Sequence, residues 1–139
     1  VRTSHLRSGQ TKSCGCLCSG GKRDFEKNES IRNLVFFTYR DNAKSRGRDF
    51  ELTVEEADVI FKSNCFYCNA APARTRTRVN RKGEYTYNGI DRLDNSVGYV
   101  SGNVVPCCTR CNLTKGSMDY NEFIQWIEDV YLNRIPQIV

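Results

Sequence analysis

Histidine is nearly absent from this chain: His5 is the only one among 139 residues. Any site built from the remainder must therefore manage without imidazole, both as metal ligand and as general base. No stretch approaches the ~20 apolar residues that span a bilayer as a helix, and no signal-like apolar run is present, so a cytoplasmic protein with no membrane partner is expected. Hydrophobic residues make up 39% of the chain, enough for a modest core. At this length the chain is one domain, or one domain with a small appendage. It opens on Val1 rather than Met, as a fragment of a longer protein would. Acidic residues are missing altogether from positions 70–83, and the whole chain carries a net charge of +5. That balance favours an acidic partner, with nucleic acid the foremost candidate.

Against these absences stand eight cysteines. They could form a secreted disulfide scaffold. Their spacing and the Lys/Arg/Glu-rich composition fit reduced thiols on a metal instead. Cys65-x2-Cys68 and Cys108-x2-Cys111 are separated by 39 residues. Each C-x2-C turn presents two sulfurs to one point, so the four thiolates suit tetrahedral Zn²⁺. Zinc held by four sulfurs has no open position and should act as a structural clamp. Cys107 competes with Cys108 for the metal, but the spacing favours Cys108 and leaves Cys107 as a small packed hydrophobe. Cys14, Cys16 and Cys18 form at most half a site, with His5 or upstream sequence needed to complete it; a tail with spare thiols is the plainer alternative.

The coarse pattern is helix, helix, strands, short helix, helix. Residues from about 30 to 46 follow the helical rhythm with Ile31, Leu34, Val35 and Thr38, and Gly47 ends them. Thr53 and Glu56 predict a capping box for a second helix burying Ala57, Ile60 and Phe61. Residues 72–87 predict an irregular hairpin arm in which Arg74, Arg76 and Arg78 share one face, followed by Arg81 and Lys82. Crowded positive charge of this kind suits phosphate contacts; a solvated basic strand is the alternative. Tyr85 to Asp91 and Tyr99 to Val105 predict two strands, the second broken by Pro106. A short helix is expected from about Cys108 to Lys115, stopped by Gly116. Asp119 and Glu122 then cap a last helix whose stripe of Tyr120, Phe123, Ile124, Ile127, Val130 and Tyr131 is expected to be core.

Between the cysteine pairs lie oxygen-bearing side chains. Asp91 offers a carboxylate and, just past the second pair, Asn112 an amide carbonyl, both suited to Mg²⁺ or Mn²⁺ rather than to zinc. Such an ion, held by few protein groups, leaves room for phosphate oxygens.

The run Asn88-Gly89-Ile90-Asp91-Arg92-Leu93-Asp94-Asn95-Ser96-Val97-Gly98-Tyr99, followed by Asn103-Val104-Val105-Pro106-Cys107-Cys108-Thr109-Arg110-Cys111-Asn112, resembles the ββα-metal (His-Me finger) core of HNH endonucleases. More narrowly, it is similar to the zinc-stapled forms common in bacteriophages and in a small dimeric HNH restriction enzyme. The resemblance covers about residues 30–132. It implies an α+β fold stapled by a four-cysteine zinc site, with flanking helices, and a metal-dependent DNA endonuclease domain over residues 28–134. Residues 1–23 then form an incomplete cysteine-containing module and linker; the stretch from Leu6 to Leu17 resembles the end of a zinc-ribbon-like unit of phage HNH proteins.

The resemblance also assigns roles. Asp91 matches the first metal ligand, and Arg92 stands where the general-base histidine is usual. Asn103 matches the asparagine that ties the loop between the strands, and Asn112 the last metal ligand. Arginine stays protonated and cannot be a general base, but its fork can bind the scissile phosphate. The restriction-enzyme branch shares the Asp-Arg pair and implicates an upstream tyrosine and a helper residue, for which Tyr67 and Arg48 are the matches. The plainer readings are an ordinary knuckle aromatic for Tyr67, and a surface charge or backbone-phosphate contact for Arg48. Asp94 is expected to cap a turn, with direct metal ligation the alternative. Lys115 is expected on the surface, touching DNA backbone or simply solvated. Double-stranded DNA is the implied partner, and a homodimer is compatible with the pattern. Asp91→Ala is expected to abolish cleavage and leave folding intact. The rival functional reading is a non-catalytic zinc-dependent DNA-binding module; a redox role for the C-x2-C pairs ranks below both.

Overall fold

The computed structural model describes residues 29–77 and 83–134. Cys14, Cys16, Cys18, His5, the 1–23 module, Arg78, Arg81 and Lys82 lie outside the described residues. The elements run α1 (Glu29–Ser45), α2 (Val54–Lys62), β1 (Arg74–Thr77), β2 (Glu84–Tyr87), β3 (Gly89–Arg92), β4 (Val104–Cys107), α3 (Thr109–Lys115) and α4 (Tyr120–Arg134). Two antiparallel pairs, β1–β2 and β3–β4, form separate small sheets, giving a mixed α+β architecture.

Helix α1 buries Ile31, Val35, Phe36 and Ala43. It ends where Gly47 takes a left-handed φ of 64°, a conformation glycine adopts at little steric cost. Helix α2 begins with the expected capping box: the Thr53 hydroxyl accepts from Glu56 N–H, and the Glu56 carboxylate accepts from Thr53 N–H. Its Ala57 and Phe61 are fully buried. Phe61 sits at the centre of the core, packing edge-on against Tyr85 and Tyr87 of β2 and tilted against Tyr39 of α1. The strand predicted over 85–91 is in fact two. Asn88 breaks it: its backbone N–H donates to Phe61, and its buried amide donates to the carbonyls of Ser63 and Ala70. β2 thus pairs with β1 of the arm while its Tyr85 and Tyr87 reach into the core, and β3 pairs with β4.

The second predicted strand is shifted as well. Tyr99 makes only an isolated bridge to Phe50, and the strand itself runs from Val104 through Pro106 to Cys107. Pro106 is tolerated because its missing N–H is not needed there, while its carbonyl accepts from Phe66 N–H. Gly98 is required by a close approach: a Cβ there would collide with the Asp49 carbonyl, to which Tyr99 N–H donates at 2.8 Å.

The apolar stripe of α4 is not core among the described residues. Only Phe123 is buried; Ile124, Ile127, Val130 and Tyr131 are exposed. The helix touches the rest of the fold through its first turns, where Tyr120 and Phe123 pack on Tyr67. Beyond them it continues past the body it is anchored to, so helical periodicity alone overstated its burial.

Candidate metal centre and active site

The four cysteines of the two C-x2-C pairs converge. The sulfurs of Cys65, Cys68, Cys108 and Cys111 all lie within 4.8 Å of one another. A tetrahedral zinc with Zn–S bonds of ~2.3 Å would set its sulfurs about 3.8 Å apart, and Cys68 and Cys108 stand at 3.7 Å. The donor set therefore fits a structural zinc. Local backbone builds it from both sides. In the first knuckle, Asn69 takes a φ of 59° and returns its N–H to Cys65, while Phe66 N–H is tied to β4 through Pro106. In the second, Cys108 caps α3 and its sulfur accepts from Cys111 N–H. Burial opposes ionisation of Cys65, but the N–H groups of Cys108, Cys68 and Tyr67 outweigh it and bring the thiol down to about 6. Cys107 lies beside the cluster rather than in it; it is buried, and burial with the nearby Asp91 charge pushes its thiol up.

Strands β3 and β4 and helix α3 follow directly on this cluster. In the register of the pair, Asp91 faces Val105 and Arg92 faces Val104. Asp91 is 8% exposed. Its carboxylate accepts from the Tyr67 phenol at 2.8 Å and from the Lys115 ammonium at 3.2 Å. Lys115 is 1% exposed and also donates to the Arg92 carbonyl at 3.0 Å. The surface position expected for Lys115 is thus corrected: α3 turns it inward, and an ammonium enclosed to this degree cannot reach a DNA backbone. Tyr67 is held as a donor; burial, then the hydrogen bond and charge of Asp91, push its phenol well above the usual range.

Asp91 and Asn112 line one cavity of about 270 Å³, together with Tyr39, Asn42 and Arg46 of α1 and its C-terminal end and Arg92, Asn95, Tyr99 and Gly116. A carboxylate has about four lone-pair positions, and Tyr67 and Lys115 occupy two. The remainder, with the exposed amide of Asn112, fits a hard divalent ion with an incomplete protein shell. Tyr67 does not line this cavity. Tyr39, Asn42 and Arg46 had no sequence signal toward it, because α1 reads simply as an amphipathic helix.

Arg92 is fixed in place: one terminal nitrogen donates to the carbonyls of Asn95 and Val97, and its guanidinium lies 5.3 Å from the Tyr99 ring centroid. Arg48 donates to the same Asn95 carbonyl at 2.8 Å. Asn103 does tie the loop, accepting from Asp94 N–H and donating to the carbonyls of Asp94 and Gly98. Asp94 caps the turn through Ser96, as its sequence context suggests. Arg74 and Arg76 of β1 line a neighbouring cavity that shares Tyr39 and Asn42 with the Asp91 cavity.

The fold has a counterpart among solved structures. The chain superposes on the rare-cutting HNH restriction endonuclease PacI with a TM-score of 0.53, covering 78% of this chain and 82% of that one, at 20% identity. The two chains share their overall fold. No protein-family model matches the sequence. A viral relative, the uncharacterized protein R423 of Acanthamoeba polyphaga mimivirus, is 35% identical over 95 residues. That match covers 68% of this chain and 16% of the viral protein, so the chain spans about a sixth of that relative's length. No helix among the described residues is long and apolar enough to cross a membrane.

Proposed function

We propose that the protein is a metal-dependent DNA endonuclease of the HNH class. The observation that carries this reading is the shared cavity of Asp91, Arg92 and Asn112 at the end of a ββα unit. Asp91 and Asn112 would hold Mg²⁺ or Mn²⁺. When bound, such an ion supplies charge stabilisation at a phosphodiester oxygen and at the leaving oxygen. The chain's own residues do the rest. Tyr67 and Lys115 fix the Asp91 carboxylate in one orientation. Arg92 has three N–H groups left after its carbonyl bonds, and they meet charge developing on the phosphate. The zinc knuckles join the two ends of the unit, and Tyr67 couples the first knuckle directly to Asp91. Tyr67 is then a positioning residue rather than a base, since its proton already serves Asp91.

Double-stranded DNA would run from Arg74 and Arg76 on the arm, past Asn42, to Arg46 and Arg92. The two adjoining cavities support that path, with Arg78, Arg81 and Lys82 continuing it along the sequence. A phage or other viral origin accords with the viral relative. The rival reading, a non-catalytic DNA-binding module, rests on the missing histidine. A plasmid-nicking assay of zinc-loaded protein with added Mg²⁺ or Mn²⁺ separates the two. Nicked or linear product supports the enzyme; tight DNA binding with intact plasmid in every metal supports the module.

A further inference from the structure

Two arginines donate to one carbonyl oxygen. Arg48, just after α1, and Arg92, at the end of β3, each place a terminal nitrogen 2.8 Å from the carbonyl oxygen of Asn95. The two nitrogens therefore lie no farther apart than twice that distance. Like charges this close repel, and a carbonyl offers only partial charge in return. Carboxylates elsewhere in the described fold pair with Arg40, Lys62 and Lys115. Among the described residues, no such ion pair forms at Arg46, Arg48 or Arg92. Asp94 senses the Arg92 charge but directs its hydrogen bonds to Ser96. The Asn95 carbonyl is itself held from behind, because the Asn95 amide donates to the carbonyls of Ser117 and Met118. Both arginines are half-buried, and Tyr99 backs Arg92. Two guanidinium groups without a carboxylate ion pair, Arg92 in the wall of a cavity that Arg46 and Asn95 also line and Arg48 bonded to that same Asn95, are a preorganised receptor for a tetrahedral oxyanion.

We propose that Arg48 and Arg92, bridged by the Asn95 carbonyl, form a two-arginine subsite for one backbone phosphate of DNA. The inference rests on reading the cavity as a phosphodiester-cleaving site. Of the readings the sequence left for Arg48, it favours a backbone-phosphate contact over a helper in the chemistry, and adds that the phosphate is shared with Arg92.

Two measurements on zinc-loaded protein, without added Mg²⁺ or Mn²⁺, test this. In the first, ¹⁵N-labelled wild-type protein is titrated with inorganic phosphate while the arginine side-chain Nε–H resonances are followed, assigned with Arg48→Lys and Arg92→Lys. The subsite predicts that the Arg48 and Arg92 signals shift together with one dissociation constant; immobile signals, or two unrelated constants, overturn it. The second is anisotropy with a fluorescent 20-base-pair duplex over a salt series. Arg48→Gln should weaken binding about 5- to 20-fold and reduce the slope of log K against log[salt] by about one. Adding Arg92→Gln should cost less than its separate effect, because both side chains serve one phosphate. Wild-type affinity and slope in a normally melting Arg48→Gln variant overturn the proposal. Should that variant unfold early, the titration of the wild-type protein decides. Neither measurement involves cleavage, so an inactive but phosphate-binding protein would sink the nuclease reading and leave the subsite standing.

Discussion

The phenol of Tyr67 donates to the carboxylate of Asp91 across 2.8 Å, and that one bond connects the sulfur cluster to the oxygen cavity. Tyr67 sits between Cys65 and Cys68, so the knuckle that a zinc would close also aims the carboxylate. Phe123 and Tyr120 of α4 press on the same ring. Tyr67→Phe keeps the packing and removes the bond. It should lower stability by about 1 kcal/mol and slow plasmid nicking at least several-fold, with zinc content unchanged by colorimetric assay.

Lys115 and Asp91 form a buried ion pair, and removing one member leaves the other enclosed and uncompensated. Lys115→Met should therefore destabilise the zinc-loaded protein by about 3–5 kcal/mol when no Mg²⁺ is added. If Asp91 binds the divalent ion, added Mg²⁺ offers the carboxylate a substitute cation. Differential scanning calorimetry should then show Mg²⁺ raising the Tm of Lys115→Met more than that of wild type. The same pair revises the expectation for Asp91→Ala, which would strand the Lys115 ammonium and so disturb folding. Asp91→Asn, which keeps a hydrogen-bond acceptor toward Tyr67 and Lys115, is the cleaner variant.

Removal of the zinc donors should act through stability first. Cys68→Ser breaks the tetrahedral set and should lower both bound zinc and Tm, as chelation of the wild type should, because metal affinity contributes directly to folding. Cys107→Ser is the control: its sulfur lies outside the cluster, so zinc stoichiometry should stay at wild-type level.

Alkaline stability should report on Tyr85. The residue is buried in the core, and burial, then its bond to Asp58, raise its pKa above the ordinary 10. The folded state thus favours the protonated phenol. That contribution is whole below about pH 10 and is lost as pH climbs beyond it. Urea midpoints of wild type should fall above pH 10 more steeply than those of Tyr85→Phe; equal slopes would show that the phenol does not titrate with folding.

Much of this was legible in the sequence because it depends on short-range chemistry. The C-x2-C spacing, the Thr53–Glu56 capping box, the Gly47 and Gly116 helix ends and the Asn103 loop tie are each local, and each is found where expected. What was not legible depends on packing between distant segments. Asn88 ends β2 because the backbone of Phe61, Ser63 and Ala70 happens to satisfy it. Lys115 turns inward because Asp91 and the Arg92 carbonyl await it, which no periodicity reveals. The α4 stripe has the pattern of a core helix, yet the described fold supplies a surface only for its first turns.

The central claim is that the sulfur cluster is scaffold and the Asp91 cavity hosts the hydrolysis. Plasmid nicking by wild type and Asp91→Asn at matched zinc content, with Mg²⁺ or Mn²⁺ added, tests it most directly. The account predicts cleavage by wild type alone, dependent on the added ion, with Asp91→Asn folded, zinc-loaded and inactive. Equal cleavage by the two proteins would contradict it.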